Sequence, residues 1–152
     1  MTQKNFTSSF TVSQPPEQVF AAINNVRGWW SQGLKGESNK PGGEFIYQHK
    51  QIHHSTQKVT ELTPSKRVAW HVTSGNLNFV EDKAEWAGTD ILFDIEPTNG
   101  KTKVTMTHRG LTPKLECFEA CSGGWQYYFS DSLRKRIETG KGEPDPTAFT
   151  AP

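Results

Sequence analysis

TDILFDIEPTNGKTKVTMTHR, residues 89–109, contains two segments with apolar residues at every second position. Such alternation over residues 89–96 and 101–109 predicts two half-buried β-strands. Between them, Pro97-Thr98-Asn99-Gly100 is a hairpin signal, because Asn-Gly accepts the positive φ angles of a two-residue turn. A connection this short requires antiparallel neighbours, so this part of the chain predicts an antiparallel sheet.

The sequence after this hairpin changes to a helical period. Between residues 124 and 139 the recurring positions fall on one face of a helix of about four turns, and they are Trp125, Tyr128, Phe129, Ser132, Leu133, Arg136 and Ile137. Gly140 is expected to end this helix. We expect Gly123-Gly124 to break the chain before it and a short separate helix to cover residues 113–121.

The sequence before the hairpin predicts more strands and two short helices. A first strand carries Phe6, Phe10 and Val12 on one face, a helix follows over about residues 15–24, and a helical turn carries Trp29 and Trp30. The Gly-rich residues 32–43 and residues 75–88 are expected to form loops. Further strands are predicted around Phe45 and Tyr47, over residues 52–62, and over residues 66–74. A sheet with one apolar face must be covered, and the long final helix is the obvious cover.

Composition excludes several classes of protein. The chain has 152 residues, the size of one domain, with net charge +1. This near-neutral balance argues against a nucleic-acid binder or a polybasic membrane anchor. The sequence shows neither an apolar run that could span a bilayer nor a secretory signal at its start, so we expect a cytoplasmic protein. One domain over residues 5–140 and a tail over residues 141–152 are predicted.

Several motifs, taken in order, resemble one known family. They run from about residue 5 to residue 143 and are Phe10-Thr11-Val12, Pro16-Glu17-Gln18-Val19-Phe20, Trp29-Trp30, Gly42-Gly43-Glu44-Phe45, Val68-Ala69-Trp70, residues 102–111, Gly124-Trp125, Ser132-Leu133 and Thr139-Gly140-Lys141-Gly142. Together they resemble the activator-of-heat-shock-protein-90-ATPase homologues, within the START-like (SRPBCC), birch-pollen-allergen-like helix-grip superfamily. The resemblance implies an α+β fold in which a curved antiparallel sheet wraps around a long C-terminal helix, with two short helices after the first strand.

The aromatic residues are the main candidates for a functional site. Between sheet and helix they fill a core or line a pocket, and we expect some to line a cavity for a flat or apolar ligand. The cavity candidates are Trp30, Phe45, Tyr47, Trp70, Phe93, Met106, His108, Trp125, Tyr128, Phe129 and Ser132. Tyr47, Tyr128 and His108 would be the polar groups that orient such a ligand.

The other chemically active residues form no recognisable catalytic or metal-binding pattern. His53 and His54 are adjacent and would point to opposite faces of a strand, and Cys117 and Cys121 are expected to be small buried residues. His71 is expected to face outward, as are Asp94 and Glu96. We therefore expect no enzyme, no metal and no cofactor.

The sequence leaves three functions open. The first is a small hydrophobic-ligand-binding protein with a cavity between the sheet and the C-terminal helix, which is our prediction. The resemblance implies the second, a cochaperone-like interaction domain with a chaperone partner, and also a third, a cyclase-type enzyme. A homodimer is left open.

Overall fold

The computed structural model describes residues 5–31, 34–49, 53–77, 86–113, 115 and 118–143. Its elements, in chain order, are β1 (Phe6–Val12), α1 (Pro16–Asn24), a 3₁₀ turn (Val26–Gly28), β2 (Lys35–Gly36), β3 (Glu44–His49), β4 (His53–Thr63), β5 (Arg67–Leu77), β6 (Asp90–Thr98), β7 (Lys101–Arg109), α2 (Phe118–Trp125), a π-helix (Gln126–Leu133) and α3 (Arg134–Thr139).

The strands form one antiparallel seven-stranded sheet in the order β1-β7-β6-β5-β4-β3-β2. The first strand therefore lies beside the last, with Phe6 opposite His108 and Phe10 opposite Val104. One face of the sheet is buried under the helical segment at residues 118–139, and Phe10 and Phe93 both contact Phe129 of that segment. This is the predicted helix-grip arrangement of sheet and C-terminal helix.

The hairpin between β6 and β7 has the predicted turn. Asn99 and Gly100 have φ angles of 49° and 78°, which a two-residue hairpin turn of the Asn-Gly type requires. Thr98 pairs with Lys101 on either side of the turn. The predicted inward faces of both strands are also confirmed, since Ile91, Phe93 and Ile95 of β6 and Val104, Met106 and His108 of β7 are buried.

The long strand β4 is irregular where it pairs with β5. Its register shifts between Thr56 and Gln57 and again between Val59 and Glu61. Bulges of this kind bend a strand and increase its twist, which favours a curved sheet. Ser55, Gln57 and Val59 of β4 are nevertheless all buried, on the face that also carries Trp70.

The prediction that Gly123-Gly124 breaks the chain is wrong. Both glycines lie inside α2, which continues through the π-helix and α3 to Thr139. The predicted separate helix over 113–121 therefore belongs, from Phe118 onward, to the long helical segment. Gly140 ends that segment with a φ of 86°, as predicted.

The two predicted loops differ in how far the structure describes them. The predicted loop over residues 32–43 contains the short strand β2, whose Lys35 and Gly36 pair with Ile46 and Phe45. Much of the second predicted loop, residues 78–85, lies outside the described residues, as do Cys117, the side chains of His49 and His53, and residues 144–152 of the predicted tail.

Candidate functional site

The aromatic candidates other than Tyr128 form one ring cluster between the sheet and the helical segment. The Trp30 ring stacks on Tyr47, with centroids 4.5 Å apart, and lies nearly parallel to the Trp70 ring at 5.9 Å. It also contacts Trp125 of α2, at 5.1 Å. Trp30 therefore joins β3, β5 and the helix through ring contacts.

The remaining candidates of this cluster continue the ring contacts across the sheet. Phe45 meets the edge of Trp70 at 4.9 Å, and Trp70 meets Phe93 at 5.0 Å. Phe93 reaches Phe129 of the π-helix, and wholly buried Met106 lies opposite Phe93 on β7. These side chains fill the space around one another.

A polar pair lies within this aromatic face, on β4. Ser55 and Gln57 are both wholly buried, and the Gln57 Nε2 atom donates to Ser55 Oγ at 2.6 Å. Their partners on the neighbouring strand β3 are Tyr47, which is opposite Ser55, and Phe45, which is opposite Gln57. Neither residue was predicted as a site residue from the sequence. Ser55, Gln57 and Val59 occupy every second position of the strand, and this alternation was a signal that all three face the same way.

Among the described residues of this region, two buried polar atoms have no hydrogen-bond partner. They are the Gln57 Oε1 acceptor and the Trp70 Nε1 donor, and both residues are wholly buried. Across the β4–β5 pair, Trp70 is opposite Val59 and Gln57 is opposite Val72, so the two side chains are diagonal neighbours on one face. Such neighbours lie within about 7–8 Å of each other. The site thus offers one acceptor and one donor inside an aromatic wall.

His108 is buried and bonded at both ring nitrogens. The Trp125 Nε1–H group donates to His108 Nδ1 at 3.0 Å, so the proton of a neutral ring lies on Nε2. The Nε2 atom is 2.8 Å from Thr89 Oγ1, which itself donates to the Trp86 carbonyl at 2.7 Å. This chain of donors fixes the orientation of the imidazole and binds the helix to β7.

Trp86 is a core residue that the sequence pattern did not indicate. Its ring stacks on Trp125 at 5.9 Å and meets His108 edge-on at 4.7 Å. Its Nε1–H group donates to the Sγ atom of Cys121 at 3.2 Å. Cys121 is a buried thiol, which agrees with the role predicted for it.

Ser132 connects three segments of the chain. Its hydroxyl donates to the Trp29 carbonyl at 2.7 Å and accepts from the Glu143 amide at 2.8 Å. Residues 140–143, which we call the C-terminal strap, thereby pack against the π-helix. Tyr128 is half-buried, and its ring contacts that of exposed Tyr127 at 4.9 Å.

A surface cleft of about 360 Å³ lies between the helical segment and the strap. Asp131, Arg134, Lys135 and Glu138 contribute to its walls. Lys135 bonds Glu143 of the strap at 2.7 Å, and this hydrogen bond and charge raise the pKa of Lys135. The charged lining makes this cleft unsuitable for an apolar ligand.

The outer face of the sheet carries ion pairs. Arg67 Nε lies 2.7 Å from Asp94 Oδ1, and His71 Nδ1 lies 2.8 Å from Asp90 Oδ1. The hydrogen bond from Arg67 to Asp94 and the Asp94 charge raise the pKa of Arg67. These half-exposed contacts confirm that His71 and Asp94 face outward.

In the described part of the chain, no three His, Cys, Asp or Glu side chains lie close enough together to hold a metal ion. Over the same residues, no helix has the length and apolar character needed to cross a membrane.

Solved structures resemble this fold over nearly its whole length. The Aha1 dimer from Colwellia psychrerythraea has a TM-score of 0.73 and 26% identity, over 91% of this chain and 98% of that one. Protein SSP2350 from Staphylococcus saprophyticus has a TM-score of 0.67 and 17% identity, over 93% and 96%. Protein MLL2253 from Mesorhizobium loti has a TM-score of 0.66 and 19% identity, over 87% and 96%.

The sequence comparisons give a family but no individual relative. No curated protein matches the chain in sequence. The family profile described as Activator of Hsp90 ATPase homolog 1-like protein matches residues 13–138, and this match includes all the cavity candidates and the polar pair on β4. With the sheet, the gripping helix and this match in agreement, the chain belongs to the family of Activator of Hsp90 ATPase homolog 1-like proteins.

Proposed function

We propose that this protein binds a small, flat and largely apolar molecule between the sheet and the C-terminal helical segment. The observation that carries the proposal is the pair of polar atoms without partners among the described residues, Gln57 Oε1 and Trp70 Nε1, in wholly buried side chains. Most buried polar groups in proteins have a partner, and a missing one calls for a ligand or a water molecule.

The surroundings of these atoms support one class of ligand. Tyr47, Phe45 and Trp70 present aromatic rings on the same face of the sheet. Aromatic walls favour a flat apolar body, since burial contributes about 25 cal/mol per Å². Gln57 Oε1 requires a donor from the ligand. The Trp70 Nε1–H group lies in the plane of its own ring, so a water molecule, rather than a ligand stacked on that ring, would be its acceptor. A lactam fused to an aromatic ring carries an N–H donor for Gln57 on the edge of a flat body.

Binding of quinolin-2(1H)-one and of naphthalene tests this proposal. The two bicyclic molecules have the same outline, but only the lactam has a donor and an acceptor. We expect the lactam to bind more tightly by about tenfold, the effect of one net hydrogen bond. In ¹H–¹⁵N spectra the Gln57 side-chain amide should shift more on lactam binding than on naphthalene binding, because its oxygen gains a donor only from the lactam.

The Gln57→Met variant removes the amide and keeps the length of the side chain. It should reduce lactam affinity to that of naphthalene, while Gln126→Met, the same change at an exposed helix position, should alter neither. Native mass spectrometry of freshly purified protein should also show a co-purified small molecule. The proposal fails if neither bicyclic molecule binds and no molecule co-purifies.

The family description favours a second candidate function, a cochaperone-like contact with the Hsp90 chaperone. Purified Hsp90 ATPase activity with and without this protein is the direct test. Stimulation that survives Gln57→Met would indicate a chaperone role that is independent of the interior site.

A further inference from the structure

We infer that the Trp30 indole occupies the place of the ligand's ring system, so that a planar aromatic bicyclic molecule binds by exchanging with it. This inference rests on the proposed function and specifies its ligand. The molecule would stack on Tyr47 and Trp70 as Trp30 does, and it would present its polar edge to Gln57.

The first step is the orientation of the Trp30 ring. It lies 6° from parallel with Trp70 and 21° from parallel with Tyr47. Offset-stacked rings at about 4.5–7 Å are the preferred arrangement of flat aromatic groups. Any flat bicyclic molecule of similar size can make the same two contacts.

The second step is the position of Trp30 over the polar pair. Tyr47 and Phe45 of β3 lie opposite Ser55 and Gln57 of β4. Trp70 stands on β5, on the other side of β4. Because Trp30 contacts rings on both sides of β4, its indole lies across that strand, on the face where the Gln57 oxygen has no partner among the described residues.

The third step is the place of Trp30 in the chain. Trp30 belongs to the connection between the 3₁₀ turn and β2, outside every strand and helix described above. Its side chain can therefore move out of the core without breaking the backbone hydrogen bonds between the strands. Two tryptophans that contact Trp30 are held by hydrogen bonds of their indole N–H groups. The Trp29 indole donates to the Ile23 carbonyl at 3.1 Å, and the Trp125 indole donates to His108.

The Trp30→Ala variant, titrated with quinolin-2(1H)-one, tests the inference. If Trp30 competes for the position, its removal should tighten lactam binding by about tenfold or more, since the bound state no longer has to displace an indole. Trp86→Ala deletes a different indole, one that stacks on Trp125, and is the matched control. It should not tighten binding.

A measurement on the unaltered sequence covers the case in which Trp30→Ala does not fold. Protein labelled with 5-fluorotryptophan gives one ¹⁹F resonance for each of its five tryptophans. When the lactam binds, the Trp30 resonance should gain the H₂O/D₂O isotope shift of a solvent-exposed ring.

The results separate this inference from the proposed function. A lactam that binds while Trp30 stays buried, or that binds more weakly to Trp30→Ala, overturns the exchange and leaves ligand binding intact, because Trp30 is then part of the wall. Absence of lactam binding to the unaltered protein overturns both.

Discussion

His108 illustrates how one buried polar side chain determines its surroundings. It is wholly buried, yet it accepts from Trp125 and reaches Thr89, whose hydroxyl continues to the Trp86 carbonyl. Each bond is a modest net gain, but leaving a buried partner unpaired is costly. The arrangement therefore stabilises the fold only while all its members are present. Both ring nitrogens of His108 already have hydrogen-bond partners, Trp125 and Thr89.

Thr89→Val tests this arrangement with almost no change of shape. The valine leaves the His108 Nε2–H group without its acceptor, and we expect a loss of about 1–3 kcal/mol in the free energy of unfolding. Thr11→Val, on the exposed side of β1, is the matched control and should stay within about 0.5 kcal/mol. Urea denaturation measures both. Equal effects at the two positions would contradict the arrangement.

Glycine has opposite effects on stability in the β6–β7 hairpin and in the long helical segment. Gly100 has a φ of 78°, and a Cβ atom at this position would meet nothing within 4 Å among the described residues, so its requirement is purely conformational. Gly123 is exposed and lies within α2, and a Cβ atom added there would likewise meet nothing within 4 Å among the described residues. The same residue type thus marks a turn in one element and weakens the other.

Substituting alanine at each glycine should change stability in opposite directions. Gly100→Ala forces a left-handed backbone on a residue with a Cβ atom and should destabilise the protein by about 1 kcal/mol. Gly123→Ala should stabilise it by about 0.5–1 kcal/mol, because alanine restricts the unfolded chain and favours the helix. Paired thermal unfolding curves give both signs. Destabilisation by Gly123→Ala would argue against a helix that continues through this position.

Across the molecule, Trp125 joins the parts that are distant in sequence. It is 2% exposed, and its ring contacts Trp30 of the connection after α1, Trp86 before β6 and His108 of β7. Aromatic pairs contribute about 0.5–1.5 kcal/mol each beyond the area they bury. Trp125 thus fastens the helical segment to the sheet.

Trp125→Ala should therefore cost about 3–5 kcal/mol of the free energy of unfolding, the range for a large aromatic residue removed from a core. The loss combines the cavity left by the indole with the His108 Nδ1 acceptor, which loses its donor in the variant. Tyr127→Ala, at an exposed aromatic position of the adjoining π-helix, is the control and should cost far less. A loss below about 1 kcal/mol at Trp125 would contradict this packing.

The strands and the hairpin could be predicted because their causes are local. Alternation at positions such as Ile91, Phe93 and Ile95 directly indicates which side chains face inward, and Asn99-Gly100 carries its own backbone preference. The face of the C-terminal helix that holds Trp125, Phe129, Leu133 and Ile137 was predictable for the same reason, since its spacing lies within one segment.

The remaining features depend on contacts between segments that are far apart in the chain. Gly123-Gly124 has low helix propensity, but burial of Cys121 and Trp125 on either side accompanies a helix that runs through it. Trp86 has no periodic neighbours, and its place in the core follows from rings that β7 and α2 supply. The polar atoms of Gln57 and Trp70 lack partners among the described residues because of the groups that surround them in space, and sequence spacing carries no information about a partner that is absent.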